Sequence, residues 1–193
     1  MSSADRPSDK AMNRAAIVDD VNLRVLDPEA DLPLLERWLR SSHVVQWWGT
    51  PDQHLTALAK RPSGTHAIIT ADGSPAGYLC WQRLSSSELE VAGLSDLPEG
   101  LVDIDILVGE PGLLGCGIGP RALVLLLAKL HGDGVGFAGL GTSASNSVAI
   151  RAFEKAGFRL VRDFVDPQSG PCKYMMVEPG DAAVRRFKKL PGC

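Results

Sequence analysis

Cysteine, aromatic residues and surplus positive charge are all scarce in this chain of 193 residues. The four cysteines, Cys80, Cys116, Cys172 and Cys193, are scattered, with no C-x-x-C pair. That excludes a disulfide scaffold and a zinc ribbon, and it fits reduced thiols in the cytoplasm. His43, His54, His66 and His131 lack ligand spacing, so no metal site is expected. Lys and Arg number 20 against 23 Asp and Glu, a net charge of −3. A protein that tracks nucleic-acid phosphates draws its affinity from clustered cations, so this balance excludes that class and suits a small cationic ligand. Long apolar runs are missing too. The longest, Ala122–Ala128, cannot cross a bilayer, and the segment 1–20 carries Asp and Lys where a signal peptide needs an apolar core. No segment repeats, and no low-complexity linker divides the chain.

What is present is a 45% apolar content, enough for one α/β core without staples. Residues 1–20 are polar and aperiodic and are expected to be a disordered tail before a single domain over 21–193. Val21, Leu23 and Val25 alternate as a half-buried strand does, and Asp31 before Pro33 marks the expected start of a helix running through Leu39. Thr50-Pro51-Asp52-Gln53 offers a capping hydroxyl, a first-turn proline and a capping-box Gln, which predicts a helix ending near Arg61. Apolar runs at 65–70 and 76–84 flank Asp72-Gly73, a hairpin turn, so the sheet is partly antiparallel. Residues 85–100, rich in Ser, Gly, Glu and Pro, are expected to form a mobile loop.

In the next strand, 101–108, Val102, Ile104, Ile106 and Val108 share one face while Asp103 and Asp105 share the other. A glycine-rich loop, Gly109 to Gly119, leads to Pro120, the expected start of a helix that is apolar nearly all round and stops at Gly132. Ser145-Asn146 caps a further helix that Gly157 ends, and strands at 158–165 and 173–178 flank the turn at 166–170. Within the loop, Gly115-Cys116-Gly117-Ile118-Gly119-Pro120-Arg121 lets backbone N–H groups at a helix start approach an anion. Glycine-spaced turns without a ligand are about as common, so context decides. No Gly-Lys-Ser/Thr follows, which excludes a P-loop. Pro120 holds the last glycine position of a dinucleotide fingerprint and no acid lies near 139, which excludes that site. A pantetheine diphosphate remains.

The strand Asp103–Val108, the loop Gly115–Gly119, and Ser145-Asn146 followed by Ala149 through Phe158 together resemble the GCN5-related N-acetyltransferases, over about 21–177. Ser42-His43-Val44-Val45-Gln46-Trp47-Trp48-Gly49 and Tyr174-Met175 are similar to the branch that acetylates the 6'-amine of aminoglycosides. The resemblance implies an α/β (α+β) fold: a mixed, mostly antiparallel sheet with a splayed parallel strand pair and flanking helices. It also implies acetyl-coenzyme A as co-substrate with no metal, a cationic small-molecule amine as partner, and a monomer or homodimer that needs neither nucleic acid nor membrane.

On this resemblance Asp105 orients the acceptor amine and takes its proton. Backbone groups of Ile106, Leu107 and Val108 pair with pantetheine. The amides of Gly115, Cys116, Gly117, Ile118, Gly119, Pro120 and Arg121 form the diphosphate cradle, and Asn146, Ala149, Phe153 and Lys155 complete the cofactor side. Trp47, Trp48, Asp103 and Asp105 hold the acceptor, since flat rings stack on sugars and attract cations. Blander roles stand beside these. Asp103 is equally a solvated strand residue or a like charge that raises the Asp105 pKa. Asn146 is a helix cap, a pantetheine contact or both; Arg121 and Lys155 reach phosphate or water; one tryptophan packs in the core. Cys116, with no matched His, is a small filler. Three positions depart from the resembling enzymes, which carry acids where Gly141 and a site near Ser169 stand and a tyrosine at Phe153. Glu88, Glu90, Asp96, Asp163 and Asp166 are expected on loops that replace the missing negative charge. The same machinery would also serve a siderophore lysine or hydroxylysine precursor or a polyamine, and a coenzyme A-binding sensor would keep the cradle without turnover.

Overall fold

The computed structural model describes residues 17–91, 93–166 and 169–181. The alternating segment Val21–Val25 forms β1, antiparallel to β2 (His66–Ala71). The described residues begin ahead of β1, inside the segment expected to be a tail. The Asp72 carboxylate accepts from the N–H groups of Asp19 and Asp20 at 3.1 and 2.8 Å, and Arg121 donates to the carbonyls of Val18 and Asp19 at 2.7 Å each. Residues 1–16 lie outside the described residues. β2 turns into β3 (Ser74–Arg83) through Asp72 and Gly73, both left-handed at φ 48° and 78°, as a tight hairpin demands. β3 pairs antiparallel with β4 (Val102–Val108); β5 (Ala138–Ser143), β6 (Arg159–Asp166) and β7 (Gly170–Val177) complete a sheet of order β1-β2-β3-β4-β5-β7-β6. Among the described residues, only the β4–β5 pair is parallel.

Helix α1 (Pro28–Leu39) starts before Asp31, because Asp27 is the cap, accepting from the N–H groups of Glu29 and Ala30. Asp31 instead lies buried in the first turn, held by both Arg24 guanidinium nitrogens at 2.8 Å. α2 (Ser42–Trp48) and α3 (Pro51–Lys60) follow; Thr50 precedes α3, but its hydroxyl makes no capping bond. The segment expected to be a loop holds α4 (Ser86–Val91), started by a reciprocal capping box: Ser85 N–H donates to Glu88 and Glu88 N–H to the Ser85 hydroxyl. Leu89, Leu94, Leu97 and Leu101 bury there against Tyr174, which gives the segment its own small core.

α5 (Ile118–Gly132) lays Ala122, Leu123, Leu126, Leu127 and Leu130 on one face of the sheet, over Val102 and Ile104. α1 and α2 cover the other face, where Leu35, Trp38 and Val44 meet Ile68, Tyr78 and Leu107. α6 (Ser147–Ala156) packs beside α5. β4 therefore runs between two apolar layers, and its two acids sit on the α1–α3 side. Gly109, just past β4, backs onto Trp38: a Cβ there would land within the indole ring. Because Trp38 is fully buried and its Nε1 donates to Glu110 at 2.8 Å, the ring has nowhere to go. Gly109→Ala should cost about 1–3 kcal/mol of stability, the usual range for overpacking. A urea titration checks it; an unchanged midpoint would mean the ring moves freely.

Candidate active site

Parallel pairing between β4 and β5 lasts only for Val102 with Ala138 and Asp103 with Gly139. Beyond that the strands part, and the β4 edge from Ile104 to Val108 has no strand partner on that side. Val102 N–H donates to the Phe137 carbonyl, so by alternation the backbone groups of Ile104, Ile106 and Val108 face the gap. Leu107 does not join them. Its carbonyl is turned to Gly77 of β3, so close that a Cβ at 77 would collide with it, and its side chain is buried under α1. The Val108 carbonyl meets His43 Nε2 at 3.1 Å. Ile106 and Val108 are thus placed where a pantetheine arm could add a strand-like edge, and the expectation for Leu107 is corrected.

The loop that follows ends in α5 with Gly117 as its left-handed cap at φ 75°, and Gly115 is left-handed at 80°. The helix starts at Ile118, so Pro120 sits at its third residue rather than opening it. Helix geometry leaves the N–H groups of Gly117, Ile118 and Gly119 without intrahelical acceptors. The expected cradle is narrower than 115–121: Pro120 has no N–H, Cys116 N–H donates to the Leu113 carbonyl and Arg121 N–H to that of Gly117. A Cβ built at Gly115, Gly117 or Gly119 meets nothing within 4 Å, so the space in front of these amides is open to a diphosphate. The Arg121 guanidinium points instead to the Val18 and Asp19 carbonyls. Ile118 buries its side chain in the core and presents backbone alone.

On α6, Asn146 is the cap, its Oδ1 accepting from Ala149 N–H at 3.1 Å, and it is 8% exposed. Ala149 lies in the first turn facing α5. Lys155 is exposed near the far end. Phe153, expected on the cofactor side, is buried against Phe158, ring centres 6.4 Å apart, so a core side chain fills the position where the resembling enzymes carry a tyrosine.

Opposite the gap, β3 and β4 bring Cys80 level with Asp105 and Gln82 level with Asp103. Asp105 is 44% exposed and ion-paired with Arg61 Nη2 at 3.1 Å. Trp48, His54, Leu58, Tyr78 and Cys80 line the cavity around that pair. Trp48 meets His54 edge-on at 5.0 Å, whereas Trp47 is 42% exposed and outside this lining, so only one of the two tryptophans faces the carboxylate. Burial, reinforced by the Asp105 charge, pushes the Cys80 thiol up to about 12, which keeps it a thiol donating to Asp105 at 3.6 Å. Burial first, and then Arg61, lowers the His66 pKa; its Nδ1 shares a 2.7 Å hydrogen bond with the Tyr78 hydroxyl.

Asp103, the other acid of β4, carries a raised pKa. Burial, and next the Asp105 charge, push it up to about 7, opposed by the Tyr174 hydroxyl that donates to it at 2.9 Å. Its pKa is raised on folding, so its contribution to stability is full at low pH and fades as pH climbs through 7. Asp103→Asn should therefore gain in Tm over the native protein at pH 8 and lose most of that margin at pH 5. An equal difference at both values would refute the shift.

The acids expected to replace missing charge do not gather here. Asp96 pairs with Arg162 at 2.5 Å and Asp163 with Lys173 at 2.6 Å; Glu88 caps α4, and Asp163 and Asp166 belong to β6 rather than to a loop. At Gly141 a Cβ would meet only Phe164 and Tyr174 at 3.8 Å, so the site has room for the side chain it lacks. Among the described residues, no three His, Cys, Asp or Glu are placed to hold a metal, and no helix is long and apolar enough to cross a membrane.

An open amide cradle, a strand edge without a partner and a carboxylate beside it are an arrangement for an acyl thioester. Residues 27–165 match the family described as an acetyltransferase (GNAT) domain. The chain is a member of the GNAT acetyltransferases. Within that family it is 33% identical over 170 residues to aminoglycoside N(6')-acetyltransferase type 1 of Klebsiella pneumoniae, covering 82% of this chain and 83% of that one; the Serratia marcescens protein of the same name matches equally. The aminoglycoside acetyltransferase AAC(6')-Ib, solved with paromomycin and acetyl-coenzyme A, superposes with a TM-score of 0.71 at 28% identity, over 90% of this chain and all of that one. Its complex with coenzyme A and kanamycin gives 0.70 at 29%, covering 88% and 100%.

GNAT membership accounts for the splayed parallel pair and for acetyl-coenzyme A as the co-substrate. Several cavity residues of this GNAT domain were missed by sequence reasoning. Tyr78 and Cys80 carried a usable signal, since alternation along β3 places them opposite the acids once the register is known. Arg61 carried none: it lies 44 residues from Asp105, at the end of a short helix.

Proposed function

We infer that this GNAT chain transfers the acetyl group of acetyl-coenzyme A to the 6'-amine of an aminoglycoside. The observation that carries it is the position of Asp105, half exposed on β4 where the edge opens beyond Asp103, within a cavity walled by Trp48. The relatives named above act on or were solved with such antibiotics, which supports this acceptor class.

Acetyl-coenzyme A supplies an activated thioester. Amides of Gly117, Ile118 and Gly119 hold its diphosphate, and the Ile106 and Val108 backbone aligns the pantetheine arm so that the acyl carbon reaches the acceptor cavity. Asp105 attracts the acceptor ammonium, and the amine loses its proton to that carboxylate or to water it orders. The new N–C bond forms as the C–S bond breaks, and coenzyme A leaves as a thiolate, a good enough leaving group to manage without a donor at Phe153. Thiol release on mixing the protein, acetyl-coenzyme A and kanamycin, with a product heavier by one acetyl group at the 6'-nitrogen, is the expected result. No thiol release with any aminoglycoside bearing that amine, or acetylation at another nitrogen, would overturn it.

A further inference from the structure

The acceptor cavity already contains a cation. Arg61, the residue that ends α3, reaches under Trp48 and His54 to lay Nη2 on Asp105 Oδ2 at 3.1 Å, and only 18% of its side chain is exposed. Its other terminal nitrogen, Nη1, is buried with no hydrogen-bond partner. With the guanidinium in place, the remaining void is about 20 Å³, room for one water and not for a sugar ring. A guanidinium and an alkylammonium are both cationic donors, so they compete for the negative charge of one carboxylate.

We propose that Arg61 is a built-in occupant of the amine site, which the acceptor's ammonium must displace from Asp105 before transfer. Resting on the aminoglycoside reading above, this makes Arg61 the residue that sets acceptor affinity. Only the fraction of molecules with Arg61 swung out binds acceptor, so the apparent affinity is lowered by that fraction. Displacement also selects for acceptors with several positive charges, because one ammonium replacing one guanidinium gains little by itself. The Arg61 backbone is tied to the end of α3 and to His66 of β2, whereas its side chain is tied to the sheet through the Asp105 contact, so it can leave by rotating about its own bonds.

Arg61→Met keeps the apolar stem and removes the charge. The expected result is at least a fivefold fall in KM for kanamycin and a matching tightening of its Kd by calorimetry, in full-length protein with coenzyme A bound. An unchanged or weaker Kd would overturn the proposal, since it would mean that Arg61 is idle or recruits the acceptor. A native protein that turns over no aminoglycoside, but whose kanamycin Kd tightens in Arg61→Met, would sink the functional reading and keep this one. If the variant does not fold, the native protein still decides: nitrogen-15 spectra of the Arg61 guanidinium should show slowly exchanging Nη protons that become fast when kanamycin is added. Protons that stay protected at saturating kanamycin would overturn the proposal.

Discussion

Asp105→Ala is expected to lower the rate of acetyl transfer at least ~100-fold, the lower end of what a positioned base contributes, while acetyl-coenzyme A binds as before. The two effects separate because the carboxylate lies on the α1–α3 side of β4, whereas the Gly117–Gly119 amides sit at the start of α5, on the opposite face of the sheet. A loss of that size corresponds to about 2.7 kcal/mol of transition-state stabilisation. Removing the carboxylate also leaves Arg61 without its partner, so Asp105→Asn belongs beside it: an amide can still accept from Arg61 but cannot take a proton. Both variants should lose turnover alike. Stopped-flow thiol release at saturating acetyl-coenzyme A checks this, and native rates in either variant would remove Asp105 from the chemistry.

Gly117→Val should weaken acetyl-coenzyme A binding at least ~10-fold. Two causes add. Residue 117 has a φ of 75°, a region where a β-branched side chain is strained by about 1–3 kcal/mol, and relief of that strain would unwind the cap that aims the amides. A valine there would also project into the empty space in front of the cradle. Gly119 lies in the first turn with ordinary backbone and the same open space, so Gly119→Val tests the steric cause without the strain. Calorimetric titration with acetyl-coenzyme A distinguishes them. Native affinity in both variants would mean that the diphosphate lies elsewhere.

How much of this was legible in the sequence depended on how local each cause is. The acidic face of β4 was readable because period-two alternation of Val102, Ile104, Ile106 and Val108 against Asp103 and Asp105 is a property of seven consecutive residues. The hairpin at Asp72-Gly73 and the cap at Asn146 were readable for the same reason. The start of α1 was misplaced because Asp31 looks like a cap, and only the packing of the first turn of α1 against β1 shows that Arg24 claims its carboxylate. Residues 85–100 looked like a loop because Ser, Gly and Pro dominate, although Leu89, Leu94, Leu97 and Leu101 were there to mark a buried face that closes on Tyr174.

Electrostatics around the acids were the least local of all. The Asp103 pKa is raised by burial and held back by Tyr174 and Arg61, neither of them nearby in sequence. Asp96 and Asp163, expected on loops that supply negative charge to the acceptor cleft, already face Arg162 and Lys173 across neighbouring elements. Gly141 and Phe153 were recognised as departures, and the structure adds what they do here: one leaves room beside Tyr174, the other fills the core.

A crystal structure of the protein with acetyl-coenzyme A bound tests the account at its root. The diphosphate should accept hydrogen bonds from the N–H groups of Gly117, Ile118 and Gly119, and the pantetheine arm should lie along the open β4 edge with its acetyl group beside Asp105. A cofactor bound away from that edge, or an acetyl group on the α5 face with Asp105 out of reach, would contradict it.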